Sequence, residues 1–186
     1  MNKPTFKQVW LDIIQEIQTG LENIDESQVN AVIRELGRAN RIFCVGAGRS
    51  KSILRSFCIR LNHIGLEAYE VGGIPCPPIT PNDILVASTG SGSTVTVLAI
   101  LRRAKEEGAK IIVFTANNNE EIRSLADIII SITAPSGLLN TEDNRSKQLM
   151  RTLFEQIAFI LQESMIAILS YRMPLEQIVK RHANLE

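Results

Sequence analysis

Histidine and cysteine are scarce in this chain, and charge of the two signs cancels. Two histidines and three cysteines in 186 residues leave few metal ligands to draw on, and Cys44, Cys58 and Cys76 form no Cys-x-x-Cys pair. The same count and scatter exclude a disulfide framework. Cys44 and Cys58 lie inside apolar runs and are expected as buried thiols. Twenty basic against twenty acidic side chains, net charge +0, remove the basic footprint that nucleic acid demands. Uninterrupted apolar runs such as residues 128–130 fall far short of the ~20 residues that span a bilayer. The stretch MNKPTFKQVWLDIIQEI is broken by Asp12, Gln15 and Glu16, so it has no apolar core of signal-peptide length. The expectation is a cytoplasmic chain with no membrane and no nucleic-acid partner. A pI near 6.8 protects it little from self-association, and a homo-oligomer is expected.

What is present is size and apolar content. With 45% apolar and 22% charged residues the composition is that of an ordinary globular protein, and 186 residues suit one domain. Within it, residues 1–38 are expected as an N-terminal helical hairpin, 39–133 as a sheet core, and 146–186 as C-terminal helices and tail. Val9, Trp10, Ile13, Ile14, Ile17 and Leu21 recur at helical steps. A second helix starts near Asp25 or Ser27 and stops before Gly37. This hairpin carries no catalytic signal and reads as a packing or subunit-contact element.

From residue 41 the pattern changes to short apolar runs without alternation: 41–45 (RIFCV), 67–71, 83–87 (DILVA), 110–115 (KIIVFT) and 127–132 (DIIISI). Helical stretches separate them, ending near 62, covering 94–107, and lying near 120–125. Non-alternating strands each followed by a helix predict a parallel sheet covered on both faces. The fold class is α/β, a doubly wound, three-layer α/β/α sandwich of five strands. Residues 72–81 hold four prolines and two glycines and read as a loop. Residues 134–147 are also loop-like. A long helix is expected over about 148–171, and Pro174 opens a last helix that runs to the tail.

Ligands of such sheets lie beyond the carboxyl ends of the strands. Two strands here end in loops suited to an anion. The first, 46–50 (GAGRS), lets the backbone of Gly48 come close to a ligand, offers Ser50 as a helix cap, and presents first-turn amides. Arg49 adds charge near a phosphate or pairs with a surface acid. The loop has only two of the three glycines of a dinucleotide fingerprint, so a nicotinamide cofactor is a weaker reading of it. The second loop is Ser88, Thr89, Gly90, Ser91, Gly92, Ser93 and Thr94, five hydroxyls and two glycines in seven residues. A phosphate monoester suits this nest of short donors at a helix start. The plain alternative is a polar turn capped by Ser93 or Thr94. No Gly-Lys-Ser/Thr ending makes it a nucleotide loop.

These residues carry a resemblance. GAGRS, RLNHIG (60–65), TGSGST (89–94), LFEQ (153–156) and the tail HANLE (182–186) together resemble a sugar-isomerase (SIS) domain of the 6-phospho-3-hexuloisomerase family, from about residue 40 onward. The resemblance implies an isomerase that interconverts a 3-hexulose 6-phosphate with fructose 6-phosphate through an enediol, without metal or organic cofactor. It also implies a tetramer or dimer whose active sites are shared between subunits. The family's phosphosugar positions fall on Ser50 and on 89–94, its proton-transferring carboxylate on Glu155, and assisting histidines on His63 and His182.

Each assignment has a plainer alternative. Glu155 lies between Phe154 and Ile157, where burial can tune a carboxylate for proton transfer, or it is a solvent-facing helix residue. His63, near a helix end, is explained equally by the helix dipole. His182 lies in a polar terminal segment and would act in a neighbouring subunit's site. The chain also departs from the family pattern at Lys51, Gly73, Thr89 and Ser93. The loss of two carboxylates, at Gly73 and Ser93, keeps a different ketose phosphate open as substrate. A non-catalytic phosphosugar-binding or sensing protein is the reading from another class.

Overall fold

The computed structural model describes residues 3–137, 146–171 and 173–185. Part of the expected loop at 134–147, and the last residue of the HANLE tail, therefore lie outside the described residues. Five strands follow the expected apolar runs: β1 (Ile42–Gly46), β2 (Ala68–Glu70), β3 (Ile84–Ser88), β4 (Lys110–Thr115) and β5 (Ile128–Ser131). They form one sheet in the order β2-β1-β3-β4-β5, with every pair parallel. Strand order reverses between β1 and β3, the place where a doubly wound sheet opens a crevice.

Alternate residues of each strand face opposite layers. Ile42, Cys44, Ile84, Val86, Ile112 and Phe114 pack with α1 (Phe6–Glu22), α2 (Glu26–Leu36), α3 (Gly48–His63) and α6 (Thr152–Ser170). Phe43, Val45, Leu85, Ala87, Ile111 and Val113 pack with α4 (Val95–Glu106) and α5 (Glu120–Leu125). The N-terminal helices thus share one layer with α3 and α6. Asp25 caps α2 through Ser27 N at 2.9 Å, and the helix closes at Gly37, as the sequence predicts. Cys44 and Cys58 are buried free thiols, also as expected.

The C-terminal part differs from the expectation. The long helix begins at Thr152, four residues later than predicted, because Ser146, Lys147 and Gln148 bind back to Glu16 of α1. Met150 then turns with φ 55°, which an α-helix cannot accommodate. The last helix, α7 (Leu175–Val179), does follow the expectation: Pro174 caps its start and it ends at Lys180, just before the tail. By length and composition α6 is apolar enough to cross a bilayer, at mean hydropathy 1.4, which the short uninterrupted runs did not reveal. Half of that window is buried within the helical layer.

One buried carboxylate fixes the amino end of the sheet. Asp83, 1% exposed, accepts from Arg41 Nε at 3.1 Å and Nη2 at 2.8 Å, Asn40 Nδ2 at 3.1 Å, and Thr80 N and Oγ1 at 2.7 Å each. Burial pushes this carboxyl up, but hydrogen bonds from Arg41, Thr80 and Asn40 outweigh it and lower the group to about 2. A depressed folded-state pKa contributes stability above the unfolded value, lost as pH falls through the folded one. Asp83 is therefore expected to supply about 2 kcal/mol at neutral pH that disappears between about pH 4 and pH 2. Urea unfolding of wild type and Asp83→Asn across that range checks this. The variant loses that component of the pH dependence, and parallel profiles would contradict the assignment.

Candidate active site

The register pairs Gly46 of β1 with Ser88 of β3, so the two suspected loops lie side by side at the carboxyl edge of the sheet. Both lead directly into helices, α3 after Ala47 and α4 after Thr94, and neither helix has a side-chain hydrogen bond at its cap. Their first-turn amides are left for another acceptor. The start of α6 forms a third wall. Together these segments enclose a cleft of about 490 Å³ lined by Gly48, Arg49, Ser50, Ser88, Thr89, Gly90, Ser91, Thr94, Arg151 and Glu155, among others. That volume suits a small-molecule ligand.

The serine-rich loop is organised from behind. Thr115, at the end of β4, donates to the Thr89 carbonyl at 2.8 Å. Asn117 Nδ2 donates to the Ser91 carbonyl and Asn119 Nδ2 to the Gly92 carbonyl, each at 3.0 Å. The carbonyls are thereby tied away, while the amides of Gly90 and Ser91 donate to no described residue. Thr94 Oγ1 lies 3.3 Å from both Thr89 Oγ1 and Ser91 Oγ, a linked set of hydroxyls that can rotate to serve an anion. Ser88 is 1% exposed, lines the cleft, and has no partner for its Oγ. A buried orphan hydroxyl at this place is one that a ligand oxygen would satisfy.

Most of the predicted site residues meet here, and four do not. Gly92 and Ser93 are outside the cleft lining. Gly92 is a structural glycine: its φ is +64°, and a Cβ there would stand 2.4 Å from the Asn117 carbonyl oxygen. Ser50 is not the helix cap that the sequence suggested. Helix α3 begins at Gly48, so Ser50 stands inside the first turn, buried against the cleft. Lys51 does not reach the cleft either, since it and Arg55 pair with Glu70 at 2.9 and 3.1 Å. His63 is the last residue of α3, about 22 Å along the helix from its start. His182 stacks on it, ring centroids 5.2 Å apart. Burial, then the charges of His182 and Arg60, hold His63 below the ordinary histidine value, which favours a neutral ring at neutral pH.

Glu155 stands in the first turn of α6, 7% exposed. Its Oε2 accepts from Arg49 Nε at 2.5 Å across the cleft. Arg49 therefore pairs with a buried acid of the site, not with a surface one. Arg151, Asn117 and Asn119 were not singled out from the sequence. The run of three asparagines after β4 was a legible cue, because side-chain amides are suited to tying loop carbonyls.

A family model described as SIS domain matches residues 35–158. The chain is similar to the 3-hexulose-6-phosphate isomerase of Mycobacterium gastri, 34% identical over 173 residues, covering 92% of this chain and 86% of that protein. A Bacillus subtilis protein of the same name is 29% identical over 177 residues, covering 94% and 96%. Among solved structures, a Methanococcus jannaschii protein superposes with a TM-score of 0.80 at 28% identity, covering 96% of this chain and 99% of that one. Its crystal structure led to the inference of a 3-hexulose-6-phosphate isomerase function for it.

Proposed function

The chain belongs to the SIS domain family, among the relatives of the 3-hexulose-6-phosphate isomerases, and from that premise we propose that it is a phosphosugar isomerase. Its reaction interconverts a 3-hexulose 6-phosphate with fructose 6-phosphate. The observation that carries this reading is the meeting of two unlike functions in one cleft. Open amides and hydroxyls of the loop after β3 supply a phosphate site, and the carboxylate of Glu155 lines the same space.

The phosphate monoester accepts from the amides of Gly90 and Ser91 and from Ser50, Ser91 and Thr94, with two helix dipoles favouring its charge. The sugar chain then extends toward α6. Glu155 removes the proton from C2 of the 3-ketose, and the C2–C3 enediol forms as the carbonyl electrons move to O3; a hydroxyl proton passes from O2 to O3, and the carbon-bound proton returned at C3 leaves the carbonyl at C2. One carboxylate serves both transfers, and no atoms or electrons enter or leave. The pair His63 and His182 is too far along α3 to serve this cleft. It acts in the cleft of a neighbouring subunit, opening the sugar ring by moving a proton between ring oxygen and hydroxyl. The assembly is accordingly a tetramer or dimer with shared sites, and free thiols and a phosphosugar substrate favour the cytoplasm.

Fructose 6-phosphate incubated with the protein in deuterated water distinguishes the possibilities by where the label lands. The proposed reaction places deuterium at C2 of a new 3-ketose and, on reversal, at C3 of the recovered fructose 6-phosphate. Label at C1 would instead mark an aldose–ketose isomerase. Binding without any label or new resonance would mark a sensing protein.

A further inference from the structure

The contact between Arg49 and Glu155 has an asymmetry that assigns Arg49 a task of its own. Arg49 is the second residue of α3, where a cation meets the positive end of the helix dipole and weakens the helix. Local helix stability therefore does not explain the residue. Its side chain is 69% exposed, yet it reaches across the cleft to a carboxylate whose side chain is 9% exposed. Only Nε is engaged, at 2.5 Å and only with Oε2. Glu155 Oε1 has no partner among the described residues, although Glu155 lines the cleft. A carboxylate held by one oxygen and left open at the other has its rotation about the terminal bond fixed, with one basic lone pair presented to a reacting carbon.

We propose that Arg49 is a positioning residue: it clamps Oε2 of Glu155 so that Oε1 alone is offered for proton transfer, and it does not serve as the phosphate ligand. The inference rests on the isomerase reading above and assigns a separate step within it. The phosphate grip is complete without a guanidinium, since the amides of Gly90 and Ser91, the linked hydroxyls and the openings of α3 and α4 already supply donors. Precise presentation of a base changes the rate of the chemical step and leaves ground-state binding nearly untouched. A phosphate ligand would do the reverse.

Steady-state kinetics of wild type, Arg49→Gln, Arg49→Lys, Glu155→Gln and the double variant Arg49→Gln/Glu155→Gln separate these roles. Competitive inhibition by inorganic phosphate is measured on the active proteins, and phosphate binding by calorimetry on all five. Arg49→Gln is expected to lower kcat by about 30- to 100-fold, with KM and the phosphate constant within about threefold of wild type. Arg49→Lys recovers part of the lost kcat, because an ammonium can still hold Oε2 but with poorer direction. The double variant is no worse than Glu155→Gln alone, because the clamp has nothing left to position. A rise of tenfold or more in KM and in the phosphate constant, with kcat intact, would make Arg49 a phosphate ligand and overturn the proposal. Unchanged kinetics in Arg49→Gln would reduce the contact to an inert surface pair and overturn it too. An inactive wild type would remove the isomerase reading and this inference with it. An active wild type beside a phosphate-ligand pattern in Arg49→Gln removes this inference only.

Discussion

Replacing Glu155 by glutamine is expected to lower kcat by about 10²- to 10⁴-fold while leaving the affinity for fructose 6-phosphate within a few-fold of wild type. The change is nearly isosteric, and the amide oxygen can still accept from Arg49 Nε, so the wall of the cleft keeps its shape. What is lost is the basic site for the C–H proton. Glu155 is also 7% exposed in the first turn of α6, so a purely structural role predicts something different. In that case Glu155→Gln would lower the melting temperature and leave kcat of the remaining folded protein unchanged. Turnover from a coupled assay, read beside calorimetric affinity and a thermal melt, distinguishes chemistry from scaffolding.

Replacing Gly92 by alanine is expected to cost about 2–4 kcal/mol of stability and to weaken phosphosugar binding with it. Two effects add. At φ +64° a Cβ incurs about 1–2 kcal/mol of backbone strain. The new methyl would also stand 2.4 Å from the Asn117 carbonyl oxygen, and backbone on both sides must shift to relieve that contact. The shift would pull the loop off the side-chain amides of Asn117 and Asn119, which hold the Ser91 and Gly92 carbonyls. Gly48→Ala is the internal control. Its φ is +56°, with nothing within 4 Å of a Cβ, so only the strain remains, about 1–2 kcal/mol. Equal urea midpoints for the two variants would show that the packing of the loop onto the asparagines contributes nothing.

The sheet was legible because its physics is local. Fully buried parallel strands must be apolar on both faces, so KIIVFT and DILVA declare themselves without any knowledge of their neighbours. The two loops were legible for a similar reason. Glycines and short hydroxyl residues crowded between a strand and a helix have few other uses, and the strand order then places them together. The start of α6 was not legible. Residues 148–151 have helical composition, and only contacts across 130 and 131 positions, from Glu16 to Ser146 and Lys147, hold this stretch out of the helix. The partner of Arg49 was hidden for the same reason, because Arg49 and Glu155 are separated by 106 positions and meet only through the packing of α3 on α6. The histidines show the converse limit. Sequence position could not tell that His63 and His182 stack on each other at the far end of α3, away from the cleft.

In the proposed reaction a sugar phosphate lies in the crevice between β1 and β3 with its carbon chain against Glu155. A crystal soaked with fructose 6-phosphate tests it most directly. Phosphate density is expected within hydrogen-bonding distance of the Gly90 and Ser91 amides and of the Ser50 hydroxyl, with the C2–C3 bond beside Oε1 of Glu155. Ligand bound elsewhere while that crevice holds only water, or phosphate in place with the sugar directed away from α6, would contradict it.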